Sequence, residues 1–181
     1  MRWFKDSDFI RGEVPMTKYE IRVLISSMFD LERGKKLLEI GSGTGSLTCQ
    51  LAEAGFEVTT IEFFKEAIEL TEKNLKNLNI SANVIHGKAP LDLPKENFDA
   101  CFIGGSRGGL EGIFEYLDEY MESGTVVASF IKIDNLSKTR ELMNRYGYAN
   151  IETRLIQVSH EDKIGLLRSE NPIFILKGDK Q

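Results

Sequence analysis

Leu37-Leu38-Glu39-Ile40-Gly41-Ser42-Gly43-Thr44-Gly45-Ser46 is the most informative run in the chain. A short apolar run, Leu37 to Ile40, is followed at once by glycines on alternate positions, Gly41, Gly43 and Gly45. Leu47, Leu51 and Ala54 then recur at helical spacing. The pattern reads as a strand, a tight glycine turn and a helix N-terminus. Glycine admits positive φ and lets a ligand approach the main chain, and the first N–H groups of the helix face that ligand. A second strand-like run, Val58-Thr59-Thr60-Ile61, ends in Glu62, twenty-one residues beyond Gly41. An acid at that distance accepts both hydroxyls of a ribose, so the pair implies an adenosine-containing cofactor.

The G-x-G-x-G spacing fits S-adenosylmethionine (SAM) better than a dinucleotide, whose pyrophosphate requires G-x-G-x-x-G and a helix end aimed at it. The chain has no G-x-x-x-x-G-K-[ST], which argues against a nucleoside triphosphate site. The bland alternative for the turn is an ordinary strand-to-helix connection without a ligand.

A length of 181 residues suits one domain, 1–181, with residues 1–16 as an N-terminal arm. The 28 acidic against 23 basic side chains give a net charge of −5, which argues against broad nucleic-acid binding. Cys49 and Cys101 lie in apolar, element-like contexts without metal spacing, as in a reduced cytoplasmic protein, and no metal is expected. No apolar run approaches the length of a membrane span, and no charged-then-apolar leader is present, so neither a membrane segment nor a signal peptide is expected.

Along the chain, Thr17 and Glu20 predict a capping box for a helix carrying Ile21, Leu24, Ile25 and Met28 on one face. Strands are expected at 37–40, 57–61, 83–86, 98–103 and 124–131, with helices at 45–54, 64–78, 109–121 and 134–146. Two strand-like runs, 150–158 and 171–177, close the sequence, joined by a long polar loop from His160 to Glu170. The reading is an α/β, Rossmann-like seven-stranded sheet of SAM-methyltransferase type. It is mostly parallel with an antiparallel C-terminal strand, helices on both faces, and a ligand at the carboxyl ends of the strands.

Gly87-Lys88-Ala89-Pro90 follows the third strand, where the Ala89 backbone can meet an adenine. Asp99 reads as a fixer of neighbouring backbone. Gly104-Gly105-Ser106-Arg107-Gly108-Gly109 stands where the central strand empties onto the ligand face. Such a loop can hug a planar substrate or bind carboxylates, with Arg107 as a bidentate clamp; its bland reading is a flexible linker. Asn171-Pro172-Ile173-Phe174 is similar to the Asn-Pro-Pro-Phe box of base-amino methyltransferases, but it opens the last strand and lacks the second proline. His86 reads as packing or capping, and His160 lies in the polar loop.

The run Asp8 to Arg22, containing Pro-x-Thr-x-x-Glu-x-Arg, resembles the opening of cobalt-precorrin-6B C(15)-methyltransferases (decarboxylating) of anaerobic cobalamin synthesis. Gly41–Gly45, Gly104-Gly105-Ser106 and Ser169-Glu170-Asn171-Pro172 match in order and spacing, over nearly the whole chain. The glycine turn is generic; the arm and the Gly-Gly-Ser loop are far more specific. The resemblance implies that Thr17, Gly41, Ser42, Gly43, Thr44, Gly45, Glu62 and Ala89 surround SAM, while Gly104, Gly105, Ser106 and Arg107 face a corrinoid. The family often has aspartate where this chain has Lys88, which puts a side-chain contact to the adenine amine in doubt. The implied reaction is methylation of carbon-15 of cobalt-precorrin-6B with loss of the carbon-12 acetate carboxyl as carbon dioxide, giving cobalt-precorrin-7. The implied assembly is a homotetramer.

No triad or metal is needed, because SAM carries an activated methyl and a ring carbon is the nucleophile; no catalytic acid or base is named. Arg11, Lys18, Arg22, Arg107, Lys163 and Arg168 are candidate cations for a polycarboxylate ring. Competing readings are a SAM methyltransferase of RNA or of protein isoaspartate, and a SAM-binding protein without turnover. The arm is expected to close over the cofactor, so that deleting residues 1–14 costs turnover more than stability.

Overall fold

Alternation of apolar side chains along the central strands produces a sheet covered on both faces. The computed structural model describes residues 1–30 and 35–181. Strand β1 (Lys36–Ile40) leads through α2 (Ser46–Ala54) to β2 (Glu57–Glu62), and α3 (Lys65–Leu78) leads on to β3 (Asn83–His86). Then follow β4 (Ala100–Ile103), α4 (Leu110–Tyr120), β5 (Gly124–Phe130), α5 (Ile133–Arg145) and β6 (Ala149–Ile156). A small hairpin, β7 (Ser159–Glu161) and β8 (Leu167–Ser169), precedes β9 (Ile173–Lys180), and α1 (Tyr19–Ser27) precedes the sheet.

The seven-stranded sheet has the order β3-β2-β1-β4-β5-β9-β6. β1 to β5 pair in parallel, and β9 inserts antiparallel between β5 and β6. The chain moves outward from β1 in one direction through β2 and β3, then restarts at β4 on the other side, so the crevice between β1 and β4 is the switch point where ligands bind in such sheets. Leu38, Ile40, Cys101, Ile103, Val126 and Ala128 face α4 and α5 in one core cluster. Their neighbours Leu37, Ala100, Phe102 and Val127 face α1 and α2 in another. This period of two on both faces is what parallel strands under crossover helices require.

The polar stretch read as a loop contains the β7–β8 pair, with Asp162 accepting the Ile164 and Leu166 amides in its turn. Strong alternation is missing there because both faces of the hairpin are exposed. The Thr17–Glu20 capping box does not form: Lys18 occupies the N-cap without a side-chain bond. The Thr17 carbonyl is instead engaged by the Arg22 guanidinium and the Ser46 hydroxyl.

The first sixteen residues are built into the domain rather than laid over it. Phe4, Phe9 and Met16 share a core cluster with Cys49 and Leu75. Gln50 accepts the Phe4 amide and donates to the Arg2 carbonyl; Asn74 accepts the Ile10 amide and donates to its carbonyl. Arg22, fully buried, pairs with Asp6 at 2.8 Å and donates to the Phe4 carbonyl. Burial pulls the Arg22 pKa down and Asp6 opposes the fall.

Deletion of residues 1–14 therefore strikes stability first, contrary to the expectation that it costs turnover more than stability. Each large apolar core side chain lost costs about 3–5 kcal/mol, and a guanidinium stripped of its partners adds to that. Against a total stability of about 5–15 kcal/mol, the truncated chain should lose its cooperative thermal transition. A melting temperature close to that of the full chain would show that the arm is peripheral.

Candidate active site

The polar groups of the Gly41–Gly45 turn are held by two side chains of α3 and by Glu62 at the end of β2. Gly41, Gly43 and Gly45 all have positive φ (90°, 55° and 74°), the region where a Cβ is costly. A Cβ on Gly45 would stand 2.9 Å from the Thr71 Cα, and one on Gly41 3.1 Å from the Gly105 nitrogen. The Thr71 hydroxyl donates toward the Ser42 hydroxyl and the Gly43 carbonyl, and the Asn74 amide donates to the Thr44 carbonyl. The Pro15 carbonyl of the arm lies 3.0 Å from where a Gly43 Cβ would be. Thr71 and Asn74 belong to no sequence motif. Their signal was a polar residue on the stripe Ala67, Ile68, Leu75 that α3 buries.

Glu62, at the carboxyl end of β2, is buried beside the turn. Its Oε1 accepts the amides of Phe63 (2.8 Å) and Phe64 (2.9 Å), and its Oε2 accepts the Gly43 amide at 3.2 Å. A carboxylate offers about four acceptor positions, so Oε2 retains capacity toward the adjoining cavity.

That cavity, about 690 Å³, opens at the carboxyl ends of the strands. Thr17, Gly41, Ser42, Gly43, Glu62 and Ala89 line it, as do Gly104, Gly105, Ser106 and Arg107. Thr44 and Gly45 do not; they shape the turn from behind, Thr44 buried with its hydroxyl unpartnered and Gly45 capping α2. Residues absent from the sequence reading also line it: Phe63 and Phe64 after β2, and Ile131 and Lys132 after β5. Ile131 and Lys132 carry no motif, so only the fold brings them in.

The turn after β3 is fixed by Asp92, whose carboxylate accepts the Lys88 amide at 2.8 Å. The Lys88 side chain lines the cavity without an acidic partner among the described residues. The Gly104–Gly109 loop is ordered: the Gly104 and Gly105 amides both reach the Ile40 carbonyl, and the Gly109 amide closes a turn onto Ser106. Arg107 crosses above the glycine turn and places its guanidinium over the rings of Phe63 and Phe64, at 4.3 and 4.8 Å.

Of the other candidate cations, Arg22 is structural, Lys18 pairs with Glu170 at 3.7 Å and Arg168 with Asp162 at 2.8 Å. Arg11 and Lys163 do not line the cavity. Asp99 accepts the Lys36 amide, as a backbone fixer should, and His86 bonds the Phe63 carbonyl. His160 is exposed in the hairpin. Cys49 and Cys101 are buried free thiols.

A precorrin methyltransferase domain profile matches residues 8–176. The chain belongs to this precorrin methyltransferase family. A relative from Sulfurisphaera tokodaii, named a probable cobalt-precorrin-6B C(15)-methyltransferase (decarboxylating), is 39% identical over 97% of this chain and 96% of its own. A Salmonella typhimurium relative named cobalt-precorrin-6B C(15)-methyltransferase (decarboxylating) is 30% identical over 98% and 96%. The solved structure of a precorrin 8W decarboxylase from Methanobacterium thermoautotrophicum superposes on this methyltransferase with a TM-score of 0.87 and 28% identity, covering 97% and 98% of the two chains.

One buried acid of this methyltransferase stands just behind the turn. Glu39 on β1 receives the Thr48 hydroxyl, and burial, abetted by the charge of Glu62, pushes its pKa up to about 7. The folded protein thus holds this proton more tightly than the unfolded chain, whose glutamate titrates near 4.3. Between those values the folded state binds the extra proton, so stability falls as pH rises and the loss is complete above about 7. Glu39→Gln should remove that slope and gain on the order of 3 kcal/mol relative to the parent at pH 8. Urea unfolding at pH 5 and pH 8 reads the difference; an equal effect of the substitution at both values would refute the buried-proton account.

Proposed function

We propose that this family member methylates carbon-15 of cobalt-precorrin-6B with SAM and releases the carbon-12 acetate carboxyl as carbon dioxide, giving cobalt-precorrin-7 in anaerobic cobalamin biosynthesis. The observation that carries the reading is a single cavity shared by the Gly41–Gly43 turn, Glu62 and the Gly104–Arg107 loop. Cofactor-side and substrate-side elements then face one space, as transfer between two bound molecules demands. The relatives named for this reaction supply the substrate.

The residues present fit SAM. Glu62 has acceptor capacity left at Oε2 for ribose hydroxyls, and the Gly41–Gly43 main chain beside it lines the same cavity. In this reading Thr17, Gly41, Ser42, Gly43 and the Ala89 backbone line the cofactor, while Thr44 and Gly45 set the shape of its turn. Lys88 stands where the family often has aspartate, so adenine recognition falls to the Ala89 backbone. SAM, when bound, supplies an electrophilic methyl group. The chain's own part is to align the two ligands and exclude water, with the arm at Pro15 covering one side and the Gly104–Arg107 loop another. The tetrapyrrole itself takes up the electron pair left by decarboxylation.

The assembly in this reading is a cytoplasmic homotetramer acting without nucleic acid or membrane. The exposed Leu155, Ile164, Leu166 and Leu167 in and beside the β7–β8 hairpin support self-association. No helix among the described residues is long and apolar enough to cross a membrane.

Incubation with methyl-labelled SAM and cobalt-precorrin-6B, followed by mass spectrometry, should show one methyl gained and one carbon dioxide lost. Glu62→Ala should weaken SAM binding by about 1.5–3 kcal/mol, the scale of hydrogen bonds to a charged group. Gly105→Leu should abolish turnover yet leave SAM affinity within about threefold, because a Cβ there meets no protein atom within 4 Å. An unmodified corrinoid would overturn the activity, and lost SAM binding in folded Gly105→Leu would move that loop to the cofactor.

A further inference from the structure

A cavity of about 690 Å³ is the size of one cofactor-scale ligand site. A tetrapyrrole sharing it with SAM must therefore extend onto the rim. What the rim offers is unusual in one place. Phe63 and Phe64 are 42% and 55% exposed, and their rings stand edge to face, 5.4 Å apart at 85°. Ile131, also exposed, adds apolar surface from the end of β5. Two neighbouring exposed phenylalanines contribute little to the core; covered by a flat apolar ligand, their area becomes binding energy.

Arg107 lies in the angle between those two rings and makes no ion pair or hydrogen bond among the described residues. It belongs to the loop after β4, whereas the rings follow β2, and β1 with its glycine turn runs between them. The guanidinium is thus carried across the top of the turn and held there by aromatic faces. A cation gripped through a π-face keeps its in-plane N–H donors unspent, and five such donors form the fork that fits a carboxylate. Lys132, lining the same cavity from the end of β5, likewise has no acidic partner among the described residues.

We infer that Phe64 and Arg107 are specificity-determining residues of the corrinoid site: the Phe64 ring carries one face of the macrocycle and, together with Phe63, holds Arg107 to take a peripheral carboxylate. Lys132 meets a second carboxylate farther along the rim. The inference rests on the corrinoid reading above and deepens it. It assigns the aromatic pair a substrate role and explains why the cation is arginine, since a lysine ammonium has neither the planar fork nor the stacking face.

The test uses the full chain in four forms: the parent, Arg107→Lys, Phe64→Leu and Phe64→Tyr. KM for cobalt-precorrin-6B is read by turnover, and SAM affinity by calorimetry. Arg107→Lys and Phe64→Leu should raise KM about tenfold, whereas Phe64→Tyr, which keeps a π-face, should stay within about threefold. SAM affinity should move less than about threefold in all four. Because both side chains are exposed, folding is not at stake, and thermal melts check this. An unmoved KM in Phe64→Leu overturns the inference while the corrinoid reading stands. A loss of SAM affinity matching the rise in KM also overturns it, since the aromatic pair would then belong to the cofactor. A parent enzyme that leaves cobalt-precorrin-6B unmodified removes both.

Discussion

The backbone polar groups of the Gly41–Gly45 turn must all find partners, and that requirement ties the turn to β2 and α3. A strand that ends in a tight turn exposes N–H and C=O groups, here at the wall of the cavity. The chain meets this with partners drawn from distant segments: Glu62 for the Gly43 amide, Thr71 for the Gly43 carbonyl, Asn74 for the Thr44 carbonyl. Because these partners come from β2 and α3, the turn is fully satisfied only when that half of the sheet is in place. The same partners then leave the cavity side of the turn unobstructed.

Asn74 links this turn to the arm. Its amide and carbonyl serve Ile10 as well as Thr44, so one buried side chain reads the position of both segments. Pro15 arrives over Gly43 as a consequence of that anchorage, reinforced by Arg22 on the Thr17 and Phe4 carbonyls. A polar network of this kind is costly if any member is missing, because each orphaned group stays desolvated. The arm is therefore anchored to the core at Phe4, Phe9, Ile10 and Met16, and the cavity wall at Pro15 is held between those anchors.

Elements with strong periodicity were legible in the sequence: the five parallel strands, their helices and the antiparallel pair at the end emerge within a few residues of their expected bounds. The glycine turn and Glu62 were legible because their spacing is dictated by local geometry. What stayed hidden depends on tertiary placement. Nothing local distinguishes Arg22, which is buried and structural, from Arg107, which stands at the cavity. Phe63 and Phe64 look like core residues by composition, and only the end of β2 puts them on the rim. The β7–β8 hairpin lacks a buried face and so lacks the alternation by which strands announce themselves.

The glycines of the Gly104–Gly109 segment have different physical causes. Three of its four glycines are required by the fold. A Cβ on Gly104 would stand 2.9 Å from the Phe102 ring, and one on Gly109 would press on the Ala89 and Ser106 carbonyls at 3.1 Å. Gly108 turns the chain at a φ of 83°. Gly105 has neither reason: its backbone is not in the left-handed region, and a Cβ there would project into open space. Glycine richness in this loop is thus mostly a packing fact, produced by the close approach of two turns. Gly105, the one glycine of the four that packing and backbone conformation do not call for, lines the cavity. A small side chain retained where the fold would accept a larger one leaves room for something other than the protein.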